Sequence, residues 1–452
     1  MSLRNKIIIL ILIFLIAIRA YNIENPFSTN GIDEGIHLLQ AKMINEGYDY
    51  YKDLNGDQSP LAILIFSMFA GNVMICRYIS YSIFLISTLF LFLIAKKFGK
   101  DVAFTALLII SLDFTLLKES RLASLDLFSA SMLCFSSFFF INYIERENTT
   151  DIILSSLFLS LSTLSKIVPS FLILFILFYI FILKKKVKHG ILYIISFFIP
   201  LIFILLIFSP DELIEGILLK QTHRGFDLYS KLSIFVFISS CFIYLYSIKR
   251  WDIKNEKIMY MLGWVSFIFF PILFQGRTFQ HHFVYISYPL AILSSVVLHE
   301  KWNKRKIILT IFVIFNLFLA IFFVFSTPHD LAYDVGREIK KITEKKDTVI
   351  SGNPLINVVA NRLAPPNLTN LARYHYPQTT LNDIIYWLEK NETKVIVLYY
   401  HLYEIDGLKE YLENSTKWHF YKKMEGRGQI LFNGIKPEFS EDRYEIYIKS
   451  FQ

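Results

Sequence analysis

The residues best suited to chemistry open a polar stretch. Asp33-Glu34 follows the first apolar run, within a Gly- and Tyr-rich segment that also carries Asp57 and Gln58. A carboxylate beside a bilayer is costly unless it faces water, a partner or a substrate. A further set recurs between later apolar runs: Arg19, Glu119, Arg121, Asp126, His223, Arg224, Arg277, His281 and His282. A carboxylate near an attacking hydroxyl can take its proton or orient it. Arg and His donors can clamp a phosphate and stabilise the charge that grows as a bond to it breaks. The set therefore suits transfer of a sugar from a lipid-borne phosphate. For any one residue the plain alternative is interfacial anchoring or an ion pair within a helix. Lys166 and Lys220 are read as snorkelling lysines at span ends. Arg121 and Asp126 stand five apart, so an i,i+4 pair does not explain them.

Membrane helices must position these groups. The chain has 452 residues, 54% hydrophobic and 19% charged, with 44 Phe and a mean hydropathy of +0.46. Soluble domains carry about 25% charge, so this is a polytopic α-helical membrane protein. Apolar runs at 7–20, 77–95, 101–117, 125–143, 152–165, 168–183, 190–208, 231–248, 257–275, 283–298 and 306–326 predict about eleven spans. The run 61–75 is read as interfacial or re-entrant. No small-x-small cleavage site follows Ile7–Ile18, which predicts a retained first span. With the N-terminus cytoplasmic, the clusters Lys96-Lys97, Lys184-Lys185-Lys186, Lys249-Arg250 and Lys304-Arg305-Lys306 all fall inside, as the positive-inside rule requires.

That parity places the first loop, 21–76, outside a multi-pass plasma-membrane protein, and with it 118–124, 209–230, 276–282 and everything after 327. The formal charge of +8 lies in short clusters between apolar runs, which excludes nucleic acid as a partner. Cys76, Cys134 and Cys241 have no metal-like spacing and read as buried thiols. Residues 1–326 form the membrane domain. Residues 327–452 form a small extracytoplasmic α/β domain, with a helix at Leu331–Ile342, strands at Thr348–Ile350 and Lys394–Tyr400, and a helix between them at Leu381–Leu388. It carries three sequons, at Asn367, Asn391 and Asn414.

Four segments in order resemble a known family. They are Asp33-Glu34-Gly35 with Glu46-Gly47-Tyr48-Asp49-Tyr50-Tyr51-Lys52-Asp53; Asp57-Gln58-Ser59-Pro60-Leu61; Glu119-Ser120-Arg121-Leu122-Ala123-Ser124-Leu125-Asp126; and His281-His282-Phe283 ahead of Pro289-Leu290-Ala291. Together they resemble the glycosyltransferases of the C-type membrane fold, in the protein O-mannosyltransferase and aminoarabinose-to-lipid A transferase group. The resemblance covers residues 1 to about 300 at the family's order and spacing. The oligosaccharyltransferase branch carries a Trp-Trp-Asp-Tyr-Gly signature, whereas Trp387 and Trp418 stand alone here.

The resemblance implies a C-type fold and a dolichyl- or undecaprenyl-phosphate sugar donor. The acceptor would be an extracytoplasmic protein, glycolipid or cell-surface polymer. Asp33 would be the catalytic or acceptor-orienting carboxylate, with Glu34 beside it, and Arg121 and Asp126 would shape the donor site. Relatives of the aminoarabinose type carry Lys where this chain has Gln58, so the phosphate clamp would rest on Arg19, Arg224, Arg277 or the histidines. A divalent metal on Asp33, Glu119 and Asp126 is one option, and metal-independent relatives give the other. A lipid transporter or flippase would show charges near mid-membrane and repeated halves. A non-catalytic relative is the remaining alternative.

Overall fold

The computed structural model describes residues 3–25, 31–220, 225, 227–248, 251–300, 302–371, 379–399, 402–433 and 436–450. The chain divides into two compact units that interleave along the sequence. One comprises Met1–Ile23, Arg77–Pro210 and Gly225–Phe325, the other Glu24–Cys76, Asp211–Arg224 and Ser326–Gln452.

The first unit is helical. Among the described residues, six helical segments are long and apolar enough to cross a bilayer, beginning at Val73, Leu125, Val187, Glu256, Gln280 and Arg305. Ile9–Ala20, Thr149–Ser165 and Val168–Leu183 are shorter apolar helices. The two remaining predicted spans are broken. Lys100–Leu112 stops at Asp113, whose carboxylate accepts from the Leu116 N–H at 3.0 Å and starts a new turn, Phe114–Glu119. Ser233–Ser240 ends at Cys241 and passes into a 3₁₀ turn, Phe242–Ser247. Of the eleven predicted spans, six have, among the described residues, the length and hydropathy of a full span.

Burial sorts these helices. The apolar windows starting at Leu125 and Gln280 are each 83% buried, against 22% for Val187–Leu205. The first two form the centre and the third a lipid-facing flank. Serines pin Leu125–Arg146 to Thr149–Ser165. The Ser129 hydroxyl donates to the Ser162 carbonyl at 2.8 Å and the Ser162 hydroxyl to the Ser129 carbonyl at 2.7 Å. Ser136 donates to the Ser155 carbonyl lower down, at 2.7 Å. Small hydroxyl residues let helices approach closely where lipid offers no hydrophobic drive between them.

The second unit joins the first loop to the C-terminal region. Four strands run in the order β1-β2-β4-β3: β1 (Thr348–Ser351), β2 (Thr393–Leu398), β3 (Trp418–Asn433) and β4 (Lys436–Lys449). β1 and β2 are parallel, which the helical crossover between them permits, and β4 pairs antiparallel with both β2 and β3. Helices Leu331–Ile342 and Leu381–Glu389 occupy their predicted places. Thr380 and Asp383 close a reciprocal cap at the start of the latter.

The first loop is no free connector. Asp33 and Glu34 lie in the first turn of Gly31–Asn45, where the helix dipole favours acids. Gly35 faces the start of helix Leu355–Ala360, and a Cβ there would sit 2.4 Å from the Leu355 nitrogen. Leu39, Met43 and Leu54 share a buried cluster with Ala364. The Asn367 N–H donates to the Asp53 carbonyl at 2.8 Å. The Thr369 hydroxyl donates to the Leu54 carbonyl at 3.0 Å. Asn25 donates to the Pro328 carbonyl at 2.8 Å and accepts from the Asp330 N–H at 3.0 Å.

Leu61–Ser67 is a seven-residue helix, roughly 10 Å long against a hydrocarbon core of about 30 Å. It cannot cross on its own. Gly71, at φ +62°, closes the turn that follows, with its missing Cβ facing the Leu38 carbonyl.

Gly35→Ala is expected to destabilise the protein by about 1–3 kcal/mol through overpacking against backbone. Thermal unfolding in detergent measures it. Gly225→Ala, with nothing within 4 Å among the described residues, should leave the transition unmoved.

Candidate active site

In the first unit the candidate residues gather around Asp126. Ser124 caps the helix Leu125–Arg146 by accepting the Leu127 N–H at 3.2 Å, which sets Asp126 in the first turn. The reciprocal serine bonds one turn deeper hold Lys166 opposite, at the C-terminal end of the neighbouring helix. Its Nζ lies 3.0 Å from Asp126 Oδ2, with side chains 13% and 9% exposed. The Tyr285 hydroxyl donates to Asp126 Oδ1 at 2.9 Å. His281 Nε2 is 3.9 Å from Oδ2, and the His281 and His282 rings meet edge-on at 4.4 Å. Glu119 is buried close by and accepts from the Ser124 hydroxyl at 2.6 Å.

Asp126 is therefore a hub, with each oxygen held by a partner. Lys166 and Tyr285 were not legible as its partners. Lys166 sits at a span end, where snorkelling is the ordinary reading, and Tyr285 lies inside an apolar run. Arg121, which the resemblance implies shapes the donor site with Asp126, is engaged with the end of the first helix. Its guanidinium donates to the carbonyls of Ile18 at 2.9 Å, Arg19 at 3.1 Å, Tyr21 at 2.7 Å and Asn22 at 2.8 Å. Arg77 donates to the Ile23 carbonyl at 2.9 Å. These cations satisfy the orphan carbonyls at the end of the first helix. Burial, then repulsion from Arg77 and Arg19, lowers the Arg121 pKa to about 10, which leaves it charged at neutral pH. Arg19 is buried as well, donating to the Ser111 carbonyl at 2.7 Å and the Ser120 hydroxyl at 3.2 Å, with its guanidinium over Phe84.

The loop before His281 is tied down at several points. Lys231 Nζ donates to the Gln275 carbonyl at 2.5 Å and the Thr278 hydroxyl at 2.7 Å. The Asp227 N–H donates to the Gly276 carbonyl at 2.9 Å and the Thr278 N–H to the Ser230 hydroxyl at 3.0 Å. Arg277 lies half-buried on this loop.

The second unit holds the other candidates. Glu34 is buried and Asp33 half-buried. Among the described residues Asp33 has no hydrogen-bond or ion-pair partner. Asp57 is buried next to Tyr50 and Tyr51, whose rings stand 4.7 Å apart. Burial raises both tyrosine pKa values, and the Asp57 charge adds to it. The Tyr51 hydroxyl donates to the Gln58 carbonyl at 2.9 Å. Lys220 donates to the Gly56 carbonyl at 3.2 Å, and burial lowers its pKa. Gly216 lets the segment from Asp211 onward lie on the Tyr51 ring, and Lys52 pairs with Glu212 at 2.6 Å. His223 and Arg224 lie outside the described residues. Among the described residues, no group of three His, Cys, Asp or Glu side chains is placed to hold a metal ion.

Residues 60–211 match the family model described as dolichyl-phosphate-mannose-protein mannosyltransferase. No curated protein matches the sequence. Among solved structures, ArnT from Cupriavidus metallidurans in the apo state aligns over 92% of each chain at 11% identity and a TM-score of 0.64. The same protein bound to undecaprenyl phosphate aligns over 98% of this chain and 97% of that chain, at 12% identity and 0.66. The Archaeoglobus fulgidus oligosaccharyltransferase, in complex with zinc and sulfate, aligns over 95% of this chain and 72% of that chain, at 15% identity and 0.55. The chain has the C-type glycosyltransferase fold. Within that fold, the stretch matched by the mannosyltransferase model contains Glu119, Arg121, Asp126 and Lys166.

Removing one partner of a buried ion pair leaves an uncompensated charge, at a cost of about 3–5 kcal/mol. Lys166→Met is therefore expected to destabilise the protein more than the double variant Lys166→Met/Asp126→Asn. A double-mutant cycle on the unfolding midpoint measures the difference.

Proposed function

We propose that this chain is a membrane glycosyltransferase that moves a sugar from a polyprenyl-phosphate donor to an acceptor outside the cytoplasm. The observation that carries the reading is the charged constellation around Asp126, inside the stretch matched by a dolichyl-phosphate-mannose-protein mannosyltransferase model. The undecaprenyl phosphate bound to ArnT of the same fold supports a polyprenyl phosphate as the lipid. The parity of the basic clusters supports a cytoplasmic N-terminus and an external second unit.

The roles follow from the chemistry left to each side chain. Asp33, half-buried and unpartnered among the described residues, is the group that takes or orients the acceptor proton, with Glu34 beside it. Asp126, paired with Lys166, orders the donor-binding groups of the helical unit. Lys166 brings to that carboxylate the positive charge a divalent cation would otherwise supply. His281, His282 and Arg277 receive the phosphate. Arg19 and Arg121 hold the first helix end in place and act on the donor only through it. Gln58 offers an amide and no charge. Asp57 and Glu119 fix the loops that bear these groups.

The test uses purified protein in nanodiscs with undecaprenyl-phosphate-linked sugars and follows release of undecaprenyl phosphate. Asp33→Asn should slow release by roughly 10²–10⁴, the usual worth of a general base. Undecaprenyl phosphate binding should change by less than about threefold, under 1 kcal/mol. Equal turnover by the variant and the wild type would remove Asp33 from this role. A wild-type protein that binds neither undecaprenyl nor dolichyl phosphate would overturn the transferase reading.

A further inference from the structure

His282 is nearly fully buried, at 5% exposure, and two donors converge on one of its ring nitrogens. The Phe279 backbone N–H donates to Nδ1 at 3.2 Å, and the Gln275 side-chain amide lies 2.5 Å from the same atom. A backbone amide can only donate, so Nδ1 must present its lone pair. With Nδ1 accepting, the amide of Gln275 must turn its NH₂ toward the ring. The proton of a neutral imidazole then resides on Nε2.

The surroundings make this arrangement hard to escape. The Gln275 backbone is held by Lys231, and Thr278 is fixed by Ser230, Ser233 and its own bond to the Ile272 carbonyl at 2.9 Å. Gln280 anchors the next turn, donating to the Thr115 hydroxyl at 3.1 Å. Phe283 stacks on Phe237 at 4.8 Å. The loop can neither withdraw the Phe279 amide nor swing Gln275 away without breaking several of these bonds.

We infer that Gln275 is a positioning residue that, with the Phe279 amide, locks His282 as a neutral Nε2–H donor beside Asp126. For its purpose this rests on the transferase reading: the locked ring offers a hydrogen bond to a phosphate oxygen without a second full positive charge next to Lys166. The proton position itself does not depend on that reading. A neutral donor is preorganised, needing no proton uptake as charge develops on a leaving phosphate.

The primary test is nitrogen NMR of the full-length protein in nanodiscs with ¹⁵N-labelled histidine, the His282 signals being those lost in His282→Gln. The wild type should show a neutral ring protonated on Nε2 at pH 7. Gln275→Glu puts an acceptor on Nδ1 and should move the proton onto that atom. A wild-type ring carrying Nδ1–H, or both protons, overturns the inference, as does a spectrum unchanged in Gln275→Glu.

The second test uses undecaprenyl phosphate as the probe. Gln places its amide near the Nε2 position and Asn near Nδ1, so His282→Gln should bind at least tenfold more tightly than His282→Asn. The reverse order, or equal loss in both, would show that the ring acts only as a turn cap. If the tautomer is as stated but no form binds undecaprenyl phosphate, the transferase reading fails and the positioning role of Gln275 stands.

Discussion

An ionised carboxylate packed among apolar helices loses its water, and nothing but a partner of opposite charge and well-placed donors can make up the difference. Asp126 has both, in Lys166 and Tyr285. Much of the helical unit can be read as the means of bringing those three side chains together. The serine bonds fix the register of the helices that carry Asp126 and Lys166. Packing of the central helix from Gln280 brings Tyr285 in from a third side and carries the two histidines to the rim. The arginines on the end of the first helix keep 118–124 in place, so that the helix starting at Leu125 begins where it does.

The second unit answers a different constraint, that of holding a polar segment still. Gly31–Asn45 has too few apolar residues to fold by itself, and its buried face is completed by residues more than three hundred positions later. Gly35 against Leu355 allows the backbones to touch. Backbone carbonyls of the loop that would otherwise be orphaned find Thr369 and the amide of Asn367. Thr369 is thus occupied by the fold, as is Thr393, which meets Thr348 across the first two strands at 3.1 Å. The hydroxyls of two of the three sequons serve as structural residues.

Hydropathy and basic-cluster parity made the apolar segments legible, short apolar runs marked β1 and β2, and helical spacing marked the helices around them. The β3–β4 hairpin escaped notice because its strands are rich in charge and lack a clean apolar face: Lys422, Lys423, Glu425 and Arg427 stand where a half-buried strand would show alternation. The break at Cys241 was hidden inside an apolar run, and Asp113 gave no sign from composition alone that its carboxylate caps a new turn. Asp126 could be singled out because an acid at a membrane edge demands explanation. Its partner could not, since spacing along one chain does not reveal which helix ends meet. Arg121 shows the converse. A buried arginine invites a functional reading, and here its guanidinium is engaged by four backbone carbonyls.

The joining of the first loop to the last quarter of the chain has a consequence for biosynthesis. A ribosome delivers Asp33 and Glu34 early, but the surfaces that seat their helix emerge only after every apolar segment has been made. Asn25 and Pro328 are separated by 303 positions, a loop that must close late and at an entropic cost that grows slowly with length. Until then the acidic pair has no fixed address. Any chain released before residues 355–369 would carry the acidic pair without the surface that seats its helix. Residues 328–369 thus act as a completion check on the loop made some three hundred positions before them.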